Sequence, residues 1–222
     1  MYKYAFFDLD GTITNPGVGI TSAVAYALNK YGIEVADKTT LYPFIGPPLI
    51  DSFMKYYDFS PEKSREAVVF YREYYSVKGI YENIVYDGVQ KMLEELKSNG
   101  IFICLATSKP EEFAVKILEH YNLHIFFDMI CGAAMDETRT KKHEVIEYAI
   151  DRIESECKTQ VNKSDIIMIG DREHDILGAK KVGLDSLGVL YGYGNREELT
   201  NAGADYIVET PLEIVNIVRE TL

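Results

Sequence analysis

Tyr4-Ala5-Phe6-Phe7-Asp8-Leu9-Asp10-Gly11-Thr12-Ile13-Thr14 runs an apolar segment directly into two aspartates. Tyr4–Phe7 is short, aromatic-rich and closed downstream by Gly11, as expected of a strand buried in a parallel sheet. Asp8 and Asp10 therefore stand where the strand stops, at the carboxyl edge where open α/β sheets bind ligands. Side chains alternate along an extended chain, so Asp8 and Asp10 are expected on one side, with Leu9 facing the interior. Two carboxylates aimed at one spot repel each other. A divalent cation beside one, and a proton on the other whose affinity is raised by the neighbouring charge, make the pair tolerable. That arrangement suits a nucleophile next to an acid/base group. The plain alternative is a polar Asp-Gly turn that ends a strand.

Working outward, residues 17–31 carry Val18, Ala23, Val24, Ala27, Leu28 and Tyr31 at helical spacing, ending at Gly32. The chain then stays helical, punctuated by Pro43 and by Gly46-Pro47-Pro48. Ser60-Pro61 is a helix start, with serine as N-cap and proline in the first helical position, and the helix is expected to run to about Lys78. After Asp87 strand and helix alternate. Val89, Met92, Leu93 and Leu96 stripe a helix closed by Asn99-Gly100. Strands are expected at 101–106, 129–131, 166–169, 187–190 and 206–208. Helices are expected from Glu111, around Val145-Ile146-Ala149-Ile150 and up to Val182, with a polar loop at 136–140. This is the pattern of a doubly wound parallel sheet, an α/β fold, with a smaller all-helical insertion after the first strand. The expected division is an α/β core from 1–14 and 84–222 and a helical domain from 15–83.

The chain has 222 residues, long enough for one α/β domain and a modest insertion. Its formal charge of -12 argues against nucleic-acid and anionic-membrane partners, both of which need a basic footprint. It does not argue against a phosphate substrate, because a local cation and lysine can invert the local field. Cys104, Cys131 and Cys157 are widely spaced and form no CxxC, which fits a reducing cytoplasm better than a disulfide framework. The N-terminal apolar run is broken by Asp8 too soon for a signal peptide or a spanning helix.

The phrase Phe7-Asp8-Leu9-Asp10-Gly11-Thr12 closely resembles the first motif of the haloacid dehalogenase-like superfamily of phosphohydrolases. The resemblance places nucleophilic attack on Asp8 and protonation of the leaving group on Asp10. Three further motifs follow in order. Thr107, at the end of a strand after Leu105-Ala106 and next to Ser108, matches the hydroxyl that receives phosphate; alone it would read as an N-cap. The third is a lysine that begins a later helix. Lys141 and Lys142 both qualify, and the apolar pair Val145-Ile146 aligns better with Lys142, although the family's common Lys-Pro pair is absent. The fourth is the acidic pair Asp171 and Asp175 after Gly170, spaced one helical turn apart so that both can face one cation. Ligation by Asp8, the Asp10 carbonyl and Asp171, with Asp175 holding a water or orienting Asp171, suits Mg²⁺.

The order of the motifs, with a helical cap between the first and second, looks most like the phosphoglycolate phosphatase-like branch. Gly192-Tyr193-Gly194 and Ala202-Gly203-Ala204-Asp205-Tyr206 also resemble the terminal segment of that branch. The resemblance implies a cytoplasmic, Mg²⁺-dependent phosphatase acting on a small phosphorylated metabolite through an aspartyl-phosphate, as a monomer or homodimer. A sugar-phosphate mutase shares the same motifs. A catalytically silent phosphate-binding or scaffold protein is the alternative from another class. A dehalogenase would not need Asp10, and a phosphonatase would need a Schiff-base lysine, for which Lys55, Lys63 and Lys78 are unremarkable. Arg172 and His174 are expected to be structural or solvent-facing, and His120, His124 and His143 have no metal-ligand spacing.

Overall fold

The computed structural model describes residues 2–136 and 138–220. Glu137, in the expected polar loop, lies outside them. In chain order the elements are β1 (Tyr4–Phe7), β2 (Thr14–Asn15), α1 (Gly17–Asn29), a 3₁₀ segment (Lys38–Phe44), α2 (Leu49–Tyr57), α3 (Pro61–Tyr75), β3 (Ile84–Val85) and α4 (Val89–Ser98). There follow β4 (Phe102–Pro110), α5 (Glu111–His120), β5 (Met129–Ala133), α6 (Lys142–Cys157), β6 (Ile166–Gly170), α7 (Glu173–Val182), β7 (Asp185–Val189), α8 (Arg196–Ala202), β8 (Tyr206–Val208) and α9 (Pro211–Glu220). Among the described residues no helix is long and apolar enough to cross a membrane.

The sheet runs β5-β4-β1-β6-β7-β8 and its pairings are parallel. β1 has later strands on both sides, so the strand order reverses beside it. Such a reversal opens a crevice at the carboxyl edge of an α/β sheet. Ala5, Phe6 and Phe7 are fully buried, as are Ile103, Leu105, Ile167 and Ile169 on the flanking strands. Burying each of the large side chains contributes ~1.5–3 kcal/mol, which fixes the register. Phe7 pairs with Leu105 on one side and Ile169 on the other. Asp8 therefore emerges level with Ala106 and Gly170, and its N–H donates to the Ile169 carbonyl at 2.9 Å.

The chain divides into two compact units: one made of the described residues of Met1–Thr14 and Val85–Leu222, the other Asn15–Ile84. The second boundary falls one residue later than the sequence suggests, inside β3. Within the smaller unit, Ser60 accepts a hydrogen bond from the Lys63 N–H at 3.2 Å and Pro61 begins α3, as the capping pattern predicts. Its core is aromatic: Phe44 meets Phe53 edge-on at 5.1 Å, and Phe53 stacks on Phe59 at 5.9 Å.

Several boundaries differ from the sequence-based expectation. α1 ends at Asn29 and α3 at Tyr75, each earlier than the apolar spacing suggested. Residues 38–44 form a 3₁₀ segment instead of an α-helix, with Asp37 as N-cap accepting the Thr39 N–H and Pro43 inside it supplying no donor. β4 continues through Pro110 instead of stopping at Ala106, since Pro110 still pairs with Ala133 of β5 after an irregularity. Thr107 and Ser108 thus lie within the end of a strand and not at a helix start.

Candidate active site

The carboxyl ends of β1, β4 and β6 and the first turns of α6 and α7 bring Asp8, Lys142, Asp171 and Asp175 together. One carboxylate oxygen each from Asp8, Asp171 and Asp175 lies within 4.8 Å of the others, and all three residues are buried. Lys142 joins two of them, its Nζ 2.8 Å from Asp8 Oδ1 and 2.8 Å from Asp175 Oδ1. It also donates to the Ala106 carbonyl at 3.0 Å. Of the two lysines at the start of α6, Lys142 is the one that faces the carboxylates. Glu144 accepts hydrogen bonds from the N–H groups of Thr140 and Lys141, so Lys141 is the exposed N-cap and Lys142 the first inward residue. Its stem lies against Gly178 of α7, where an added Cβ would come 2.7 Å from Lys142 Cγ.

Asp175 is engaged by Lys142 and by the backbone of its own helix. Its Oδ1 is held by Lys142 and its Oδ2 accepts the Arg172 N–H at 3.1 Å, closing the first turn of α7. Arg172 itself pairs with Glu198 at 2.8 Å, a structural contact as expected. Asp171 is fully buried; its Oδ2 accepts the Tyr193 N–H at 2.7 Å, while Oδ1 has no hydrogen-bond partner. Thr107 is buried, and its hydroxyl accepts the Lys109 N–H at 3.2 Å; Ser108 is half-buried.

Asp10 separates from this cluster. Its Oδ2 lies 2.5 Å from Lys109 Nζ, both side chains being buried. Lys109 has no role in the sequence reading, where the strand stops at Ala106. With β4 running on through an irregularity to Pro110, Lys109 stays beside Thr107, its N–H donating to the Thr107 hydroxyl, and its side chain reaches Asp10. The Asp10 carboxyl is pushed up by burial and pulled down by Lys109, with the Asp8 charge a smaller upward influence and a net upward direction. Desolvation, not the repulsion expected between the paired aspartates, is thus the larger cause.

The other groups respond in the same way. Burial, then the charge of Asp175, pushes Asp171 well above the ordinary carboxylate range, against the Tyr193 N–H. Burial also raises Asp175, with Lys142 opposing. Burial disfavours the charge on Lys142, but Asp175 and Asp8 outweigh it, and its proton is held more tightly than usual.

Lys142→Met leaves Asp8 and Asp175 buried without their cation and is expected to cost ~3–5 kcal/mol of unfolding free energy. A buried carboxyl whose folded-state proton affinity exceeds the unfolded one binds more protons when folded, so stability falls as pH rises above the unfolded value of ~3.9. Removing Lys142 moves Asp175 further in that direction. Urea unfolding should show a larger loss at pH 8 than at pH 5; equal losses would mean that Lys142 is not neutralising the pair.

The haloacid dehalogenase-like hydrolase family matches residues 5–189. A Pseudomonas aeruginosa protein named 5'-nucleotidase is 43% identical over 198 residues, 89% of this chain and 87% of that one. A Vibrio parahaemolyticus protein named phosphoglycolate phosphatase is 27% identical, covering 97% of this chain and 96% of that one. The crystal structure of a predicted phosphatase from Clostridium acetobutylicum, 47% identical, superimposes with a TM-score of 0.94 over 99% of both chains.

Proposed function

The chain belongs to the haloacid dehalogenase-like hydrolase family, and on that premise we propose that it is a Mg²⁺-dependent phosphomonoesterase working through an aspartyl-phosphate on Asp8. One observation carries the reading: three buried carboxylates converge with a single ammonium, Lys142, which forms ion pairs with Asp8 Oδ1 and Asp175 Oδ1, while Asp171 Oδ1 has neither a hydrogen bond nor an ion pair. The donors are all oxygen, and the unbalanced negative charge matches one divalent cation, a set suited to Mg²⁺. Asp8, Asp171 and the Asp10 carbonyl would hold it; Asp175, engaged by Lys142, would stand behind them. Bound there, it would neutralise charge on the phosphoryl group.

The remaining work falls to the chain's own residues. Lys142, with Thr107 and Ser108, binds and orients the phosphate. An oxygen of the Asp8 carboxylate attacks phosphorus as the ester P–O bond breaks, and Asp10 gives its proton to the departing oxygen. Water then attacks the aspartyl-phosphate, Asp10 takes its proton, and phosphate leaves with Asp8 restored. Positioning and charge stabilisation supply most of the rate in such transfers.

The substrate is a small phosphorylated metabolite. The relative named 5'-nucleotidase is more similar than the one named phosphoglycolate phosphatase, so nucleoside 5'-monophosphates stand ahead of phosphoglycolate as substrates. Phosphate release is to be measured with Mg²⁺ over both classes and over sugar phosphates. Release from at least one of them, abolished by chelator and restored by Mg²⁺, is the expected result. Phosphoryl migration on a sugar without release would make the protein a mutase, and no reaction with any ester would overturn the enzymatic reading.

Mg²⁺ should also stabilise the fold. At a concentration 100-fold above Kd the gain is ~2.7 kcal/mol, which for a chain of this size raises Tm by roughly 5–10 °C. Thermal unfolding with Mg²⁺ and with chelator measures it, and coincident curves would remove the cation from the acid cluster.

A further inference from the structure

We propose that the loop 190–194, which follows β7 and carries none of the catalytic groups, is a positioning clasp that holds Asp171 for cation binding. The proposal rests on the cation site just described. Its basis is the convergence of several independent contacts on one side chain.

The Tyr193 N–H donates to Asp171 Oδ2 at 2.7 Å, a hydrogen bond strengthened by the carboxylate charge. On either side of Tyr193 the loop touches the same residue with glycines. A Cβ on Gly192 would lie 2.4 Å from Asp171 Cβ and 2.3 Å from the Gly11 carbonyl oxygen. A Cβ on Gly194 would lie 1.9 Å from the Asp171 carbonyl oxygen. These neighbours include backbone and the first atoms of a buried side chain, which cannot swing away. The opposite wall is the turn after β1: at Gly11, with φ +84°, a Cβ would come 2.1 Å from Asp171 Oδ2. The carboxylate is therefore lodged between two turns that admit it only because both lack side chains there.

The loop is itself tied to that turn. Tyr191 donates its hydroxyl hydrogen to the Thr12 carbonyl at 3.0 Å, and its ring meets Tyr86 edge-on at 5.1 Å. Asp171 Oδ2 is thus committed to the loop backbone, and the rotamer is set without a cation. Oδ1 is the oxygen left buried with no hydrogen-bond partner. A carboxylate that must find its rotamer at the moment of binding loses affinity to ordering; one already held does not. Outer partners of this kind typically change metal affinity 10–100-fold when altered.

The test measures cation binding directly, by calorimetry with Mg²⁺ and by the electron paramagnetic resonance of Mn²⁺, on the full chain without substrate. Gly192→Ala should weaken binding at least about 10-fold. Tyr191→Phe, which removes only the anchor to Thr12, should weaken it by roughly 2–5-fold, an effect in the range of one hydrogen bond. Gly100→Ala is the control: it introduces backbone strain at φ +75° with nothing within 4 Å of an added Cβ, so it should lose stability and keep wild-type affinity. Wild-type affinity in both loop variants would overturn the clasp while leaving the cation site standing. If Gly192→Ala does not fold, Tyr191→Phe decides alone, with unchanged affinity counting against the proposal. An equal loss in Gly100→Ala would trace the effect to general destabilisation and overturn it as well. Absence of binding by the wild-type chain would remove the cation site, and the clasp with it.

Discussion

Asp8→Asn should lose phosphatase turnover by on the order of 10⁴–10⁶-fold, the scale on which nucleophiles are lost in enzymes that form covalent intermediates. An amide has nearly the shape of the carboxylate but cannot form the acyl phosphate, so no phosphoenzyme should accumulate. The fold should survive, because Lys142 keeps its contacts with Asp175 at 2.8 Å and with the Ala106 carbonyl at 3.0 Å. Acid-quenched protein incubated with substrate, examined by mass spectrometry, should carry a phosphoryl group in the wild type and none in the variant. A phosphorylated Asp8→Asn protein, or one that retains more than about a hundredth of the rate, would move the nucleophile elsewhere.

Asp10→Asn should act differently, with a loss of ~10²–10⁴ in rate, the usual contribution of a general acid or base. Lys109 Nζ lies 2.5 Å from Asp10 Oδ2, and the amide oxygen of asparagine can still accept from it. The variant should therefore keep its position and lose only the proton. The loss in the first step must then depend on the leaving group. An aryl phosphate, whose phenolate departs with little help, should be affected less than an alkyl phosphate, whose alkoxide needs the proton. Single-turnover rates of the first step for both ester types, in wild type and variant, decide the point. Equal factors for the two would show that another group protonates the leaving oxygen.

These two aspartates also mark how far the residues could be read without coordinates. Tyr4–Phe7, the apolar runs of β4 and β6 and the helical spacing between them are local signals. Each strand's burial on both faces and each helix's apolar stripe are written within a few neighbouring residues. The parallel α/β sheet followed from them, as did the positions of Asp8 and Asp171 at strand ends, the Ser60-Pro61 helix start and a helical segment after β1. For the two lysines the local pattern only favoured Lys142, through Val145-Ile146, because which of them faces the sheet depends on the direction of the first turn of α6. The Lys109–Asp10 pair, 99 residues apart, depends on β4 continuing past Ala106. The division of labour in the acidic pair was likewise tertiary: Lys142 draws Asp175 toward Asp8, while the glycines at 192 and 194 close on Asp171. Sequence alone determined that Asp8 and Asp171 reach the carboxyl edge of this sheet, since the apolar runs that lead into them and the side-chain alternation are local properties. Which ammonium meets which carboxylate was decided by register and helix rotation, which exist only once distant segments have packed.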